Sequence, residues 1–253
     1  LNVFNEDKND SSVKNAEKLL QRATDVAAAA DVKIQSLKRY DNDVINGINN
    51  VIKEQNITDL IIGLEDDKGF SPSFVYNLYN GYLQNDDVNV MVYHAAQPLS
   101  TIKRYAVMIP ENAHREAGFF HALLRVWNIA RNSGATITFY ASEEIIAILQ
   151  RIIKKANIEA EFIILNKWKD GEKTATELRD NEALIIFMAK RGMRSYIPQM
   201  RLIPELLNRY LIDKNYLLIF PFSEFDNTNT EKRSVGNHVD FIEIGKIITK
   251  IFK

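Results

Sequence analysis

The chain contains no cysteine. Disulfides, thiolate metal sites and cysteine nucleophiles are therefore excluded, and the composition fits a reducing compartment. No apolar run approaches the about 20 residues that span a bilayer. The densest, "YLLIFPF" (216–222), is only strand-length. No secretion pattern opens the chain. There is no Walker A loop, no G-x-G-x-x-G after a strand, no G-x-S-x-G and no H-E-x-x-H. No spacing of carboxylates argues for a hydrolase pair, so the residues offer no positive support for an enzyme. The sequence also lacks an opening methionine. It starts at Leu1 inside the apolar segment "LNVF", as expected of a piece of a longer chain or of a processed one.

What is present is typical of a soluble globular protein. Of 253 residues, 46% are hydrophobic and 26% charged, enough for one large domain or two ordinary ones. The net charge of −1 hides an asymmetry. Residues 1–99 hold 9 basic and 15 acidic side chains, and residues 100–253 hold 23 and 18. Opposite signs favour docking of the two halves on each other. Neither half is basic enough to argue for nucleic acid.

Short apolar runs alternate with helical patterns. In the first part, "LNVF" (1–4), "VKIQSLK" (32–38), "DLIIGL" (59–64) and "VNVMVYH" (88–94) read as strands. Between them lie two helical patterns. The first, 11–30, has Ser11 or Ser12 as N-cap and an apolar stripe of Val13, Ala16, Leu19, Leu20 and Ala23. The second is capped by Asp43 and turns Val44, Ile45, Ile48, Val51 and Ile52 inward. After the joint "AAQPLS" (95–100) the pattern restarts. Its strands are 105–110, 135–141, 160–166, 182–189 and 216–222. Its helices are near 111–132, 142–156 and 197–212, with Gly134 and Gly192 as breakers; residues 169–180 are short and polar. Strands apolar on both faces indicate a parallel sheet covered by helices.

The expected fold class is α/β, with two doubly wound parallel-sheet domains at 1–96 and 102–253. The halves form a loose repeat in which "TDLIIGL" corresponds to "EALIIFM" and "VNVMVYH" to "YLLIFPF". The first half lacks the opening strand and helix. At the C-terminus, "VDFIEIGKIITKIFK" carries Phe241, Ile244, Ile248, Ile251 and Phe252 on one helical stripe. A helix packed on its own domain is expected there, with a membrane-surface or partner helix as the alternative.

Three groups of residues are site candidates. Gly63 ends a buried strand, where open parallel sheets bind ligands. It is followed by Glu65, Asp66, Asp67, Lys68 and Gly69. A phosphate about 5 Å from one of these carboxylates is repelled by about 3 kcal/mol at an effective dielectric near 20. The stretch is therefore a solvated turn, or a divalent-cation or metal-nucleotide site in which the acids become ligands. Lys190, Arg191 and Arg194, with Arg201, form a basic cluster after the strand at 182–189. Such a cluster suits an anion, a phosphate or an acidic partner surface, or else is a solvated loop docked on the acidic half. His114 and His121 lie seven apart on one expected helix, with Glu111 a turn earlier, a spacing compatible with zinc or proton sensing. His94 and His238 read as structural or exposed.

The element order, with "RYDNDVINGINNVIKEQNITDLIIGLEDDKGF" (39–70) and "QPLSTIKRYAVMIPENAHREAGF" (97–119), resembles the universal stress protein family. More specifically, it is similar to the soluble C-terminal region of bacterial monovalent cation:proton antiporters of the sodium/proton type. That region looks like two tandem stress-protein domains behind a membrane transporter. The resemblance implies a cytoplasmic regulatory or assembly module on the inner membrane, joined to a transporter domain of the same polypeptide and itself neither transporting nor catalytic. It also implies an intramolecular pseudo-dimer through "VNVMVYH" and "YLLIFPF", and a homodimer as a further option.

Nucleotide-binding stress proteins carry an acid ending their first strand. After the fourth strand they carry a glycine, two residues, a second glycine, nine residues, then glycine and Ser or Thr. Here Gly63 matches the first glycine, but Asp66 stands for the second, and Gly81 is followed by Tyr82. In the second half Met188 and Arg191 replace both glycines, and Pro110 followed by Glu111 replaces the acid. No bound cofactor is expected. The alternative is a free-standing tandem stress protein binding a nucleotide or other small anion.

Overall fold

The computed structural model describes residues 1–4, 10–64, 69–156 and 159–223. They form two compact units, Leu1–Ile57 and a larger one beginning at Thr58. The stripe expected at 239–253 and His238 lie outside the described residues.

In the first unit, strands β1 (Asn2–Phe4) and β2 (Lys38–Tyr40) pair in parallel, with Val3 opposite Arg39. Helices α1 (Asp10–Ala29) and α2 (Val44–Glu54) complete it. The second strand is displaced from the expected 32–38. Pairing with β1 selects "KRY", and residues 32–37 are irregular. Helix α1 begins at Asp10, so Ser11 and Ser12 lie inside it and not at its cap. Its stripe is also rotated, because Ala16 is buried whereas Leu19 is 64% exposed. Helix α2 follows its sequence. The Asp43 side chain accepts the Asn46 N–H at 2.9 Å, and Val51 and Ile52 are buried.

The second unit is built on one seven-stranded sheet in the order β3-β4-β9-β8-β5-β6-β7. The strands are β3 (Asp59–Gly63), β4 (Asn89–His94), β5 (Arg104–Met108), β6 (Thr136–Ala141), β7 (Ala160–Ile164), β8 (Glu182–Phe187) and β9 (Asn215–Phe220). Every pairing is parallel except β4 with β9. That antiparallel seam sets Val90 opposite Phe220 and Val92 opposite Leu218, and it brings together the two segments expected to meet. Both β8 and β9 are buried along their whole length. Their continuous apolar runs match a strand covered on both faces.

Helices α4 (Phe119–Ser133) and α5 (Glu143–Ala156) cover one face of the sheet. Phe119, Leu123, Val126 and Trp127 of α4 and Ile145, Leu149 and Ile152 of α5 join Tyr105, Val107, Ile137, Phe139, Ile185 and Phe187 in one core. Burying each Ile or Leu there contributes about 1.5–3 kcal/mol. The short helices α6 (Gly171–Thr176) and α7 (Ile203–Tyr210) lie after β7 and β8, and α3 (Pro72–Asn80) lies between β3 and β4.

Three polar side chains buried at strand starts are hydrogen-bonded, whereas His94 Nδ1 at the end of β4 and the Tyr216 hydroxyl in β9 are buried without a partner among the described residues. Glu182, at the start of β8, is 5% exposed and takes two 2.8 Å hydrogen bonds from the Arg104 guanidinium. Asn89 opens β4 and accepts the Phe222 N–H at 3.1 Å, just past β9. Asn215 opens β9 and accepts the Gln97 N–H at 2.9 Å, just past β4, while its amide donates to the Gln97 carbonyl at 2.8 Å. Asp59 pairs with Asn89 and Ala183 with Asn215. Each of these asparagines thus opens the second strand of a parallel pair, β3–β4 and β8–β9.

Candidate functional site

The acidic loop does not define a site among the described residues. Asp66 and Lys68, with Glu65 and Asp67, lie outside them. Gly63 ends β3 in open surroundings, and a side chain there would meet nothing within 4 Å. Gly69 has a left-handed φ of 52°. A Cβ on it would come within 2.3 Å of the Asn208 side-chain oxygen. Asn208 on α7 also brackets Phe70, accepting its N–H at 2.8 Å and donating to its carbonyl at 2.9 Å. The glycine thus serves close packing of this segment on α7.

The two histidines are not on one helix. His114 sits in the short turn Ala113–Arg115 and His121 in the first turn of α4. His114 Nε2 lies 3.3 Å from Glu144, at the start of α5. Burial pushes the His114 pKa below its ordinary value; Glu144 opposes this and Arg115 adds to it. His121 faces the Phe222 ring at 5.4 Å. Among the described residues no three metal-ligating side chains converge. His94 is structural: its Nε2 lies 2.9 Å from the Ile212 carbonyl, and its ring stacks on Tyr216 at 4.8 Å.

Beyond β5 and β8 the connecting segments bond to one another. Glu116 accepts both the Ser195 N–H and its hydroxyl, each at 2.8 Å. A backbone donor after β8 that would suit an anion is thus held by an internal carboxylate. Gly118 donates its N–H to the Phe222 carbonyl at 3.0 Å, and a Cβ on Gly118 would fall 2.5 Å from the Phe222 nitrogen. The segment before α4 therefore lies directly on the end of β9.

The basic cluster does build a concave site. Lys190 and Arg191, following β8, line a cleft of about 600 Å³ together with Tyr196 and Arg201. The opposite wall comes from α3 and the turn after it, with Tyr76, Tyr79 and Asp86 among its residues. Arg194 is exposed and outside the cleft. The Lys190 ammonium donates to Asp86 Oδ1 and to the Asn85 carbonyl, both at 2.9 Å. Asp86 also accepts the Ser223 hydroxyl at 2.9 Å. Burial raises the Asp86 carboxyl pKa, but the Lys190 and Ser223 hydrogen bonds outweigh it and leave the pKa lowered. The Tyr79 ring meets Phe220 edge-on at 6.4 Å. Burial pushes the Tyr79 phenol up, aided by Tyr196 and opposed by the Arg201 charge. The cleft thus opens where β8 and β9 end, the usual ligand position in open α/β sheets.

Of these residues, Tyr76, Tyr79 and Tyr196 are absent from the expectations drawn from sequence. The signal for the first two was Ser71 followed by Pro72. Ser71 caps α3 by accepting the Phe74 N–H at 3.1 Å, and Pro72 occupies the first helical position.

No family model and no curated protein matches the chain. Solved structures do resemble it in fold. A functionally unknown protein from Pseudomonas aeruginosa PAO1 is similar at 14% identity and TM-score 0.56, over 98% of this chain and 85% of its own. The cytoplasmic domain of a prokaryotic cation chloride cotransporter is similar at 12% identity and TM-score 0.58, over 88% and 84%. A candidate universal stress protein from Pseudomonas aeruginosa UCBPP-PA14 is similar at 13% identity and TM-score 0.55, over 98% and 86%. The chain thus has an α/β fold with a mostly parallel central sheet, of the universal-stress-protein kind.

Proposed function

We propose that the chain is a regulatory or assembly module of a membrane cation transporter, a sodium/proton antiporter in the closest reading of its motifs. It sits on the cytoplasmic side, carries no ions and performs no catalysis. The observation that carries this reading is the likeness, over 88% of the chain, to the cytoplasmic domain of a prokaryotic cation chloride cotransporter. Two features support it. The loop after β8 lacks the glycines of nucleotide-binding stress proteins, and its Ser195 N–H is held by Glu116. The antiparallel β4–β9 seam, clamped by Asn89 and Asn215, suits an internal pseudo-dimer of two stress-protein halves. No helix among the described residues is long and apolar enough to cross a membrane, so the transporting part would be another segment of the polypeptide.

The coding sequence upstream of Leu1 tests the proposal. It is expected to encode about a dozen apolar spans of about 20 residues each. An initiator codon within a few residues of Leu1 would refute the transporter reading and favour a free-standing stress protein. A second test expresses the longer protein, with and without residues 1–253, in cells lacking their own antiporters. The module is expected to shift the ion or pH dependence of exchange. Identical dependence in both forms would contradict a regulatory role.

A further inference from the structure

The cleft between α3 and the segment after β8 combines two kinds of surface. One is cationic. Lys190 is 13% exposed at its side chain and already neutralised by Asp86. Arg191 and Arg201 have no carboxylate partner among the described residues and line the same cavity. Guanidinium groups present planar pairs of donors that match two oxygens of one phosphate. The other surface is aromatic: Tyr76, Tyr79 and Tyr196 line the cavity beside the arginines. Tyrosine rings offer flat apolar faces with a polar tip.

Two groups of the walls are held in place. Tyr79 is held edge-on by Phe220, and Lys190 is tied to Asp86 and the Asn85 carbonyl. At about 600 Å³ the cavity is far larger than a bare phosphate and falls within the range of small-molecule sites. We propose that this cleft binds a small phosphate monoester with a flat organic body, its phosphate held between Arg191 and Arg201 and its body against the tyrosines. The site differs from a glycine phosphate loop because its donors are side chains and one of its walls is α3. If the module regulates a transporter, this ligand is its effector. The binding itself does not rest on that reading, and a free-standing chain would show it equally.

The test uses phenyl phosphate as probe, with inorganic phosphate and phenol as its two halves. The purified chain is titrated by calorimetry and by amide chemical shifts. Phenyl phosphate is expected to bind saturably at one site, more tightly than either half. Arg191→Gln and Arg201→Gln are each expected to weaken it at least tenfold. Arg194→Gln, on the same segment but outside the cleft, is expected to change it less than twofold. All three arginines are exposed, and unchanged melting temperatures check that the variants fold. Three results would overturn the proposal. They are absence of saturable binding, an equal loss in Arg194→Gln that marks a diffuse charge effect, and arginine-dependent binding to anionic phospholipid vesicles with none to phenyl phosphate. The last would assign the arginines to a membrane surface.

Discussion

Glu182 is buried at the start of β8 and survives there because Arg104, on the neighbouring β5, meets it with two hydrogen bonds. Arg104→Ala would leave a buried carboxylate unpaired, a loss of about 3 kcal/mol. Urea unfolding measures it. The same pair sets a pH dependence. The Arg104 hydrogen bonds and, more weakly, the Arg179 N–H hold the Glu182 carboxyl below its ordinary value of 4.5, against the effect of burial. The folded form therefore binds its proton more weakly than the unfolded one. Its contribution is complete above the unfolded pKa and is lost as pH falls through the lower, folded pKa. Melting curves of Glu182→Gln are expected to be less stable at neutral pH and to fall less steeply in acid. Gly69 gives a second prediction. Its left-handed backbone and its contact with Asn208 make Gly69→Ala destabilising by about 1–2 kcal/mol. An unchanged melting temperature would show that the segment is not packed on α7.

Among the elements, the β4–β9 seam holds the two strand pairs together. Leu218 is fully buried opposite Val92, and Leu218→Ala is expected to cost about 2–5 kcal/mol through the cavity it leaves. Asn215→Ala removes a donor and an acceptor that clamp Gln97, for about 1–3 kcal/mol. Hydrogen exchange should then quicken at the Gln97 amide before the centre of β9.

The central strands were legible because their apolar runs are long and uninterrupted, as in "ALIIF" and "YLLIF". Strand β2 was not: "VKIQSLK" has the more strand-like composition, and only pairing with β1 selects "KRY". Helix α3 was hidden for another reason. "FVYNLYN" holds three aromatic residues, two Asn and a Val, which are middling helix formers, and its cap had to be read from Ser71 and Pro72. Half of the cleft was therefore invisible: the basic residues after β8 stood out, but the tyrosine wall required α3. The pair His114 and His121 failed by the opposite route. A continuous helical pattern over 111–132 breaks at Gly118, so the two rings fall on separate elements.

For the whole molecule, three features bear on its role: an α/β sheet like that of universal stress proteins, a loop after β8 without the glycine spacing of nucleotide-binding stress proteins, and a fold shared with a transporter's cytoplasmic domain. Each alone fits several roles. Together they support the reading proposed above, a module that senses or assembles. That claim is tested most directly by fractionating the native cells and probing with an antibody raised against residues 1–253. The account predicts a band in the membrane fraction that resists alkaline extraction and migrates well above the mass of 253 residues. A soluble band at the mass of 253 residues would contradict it.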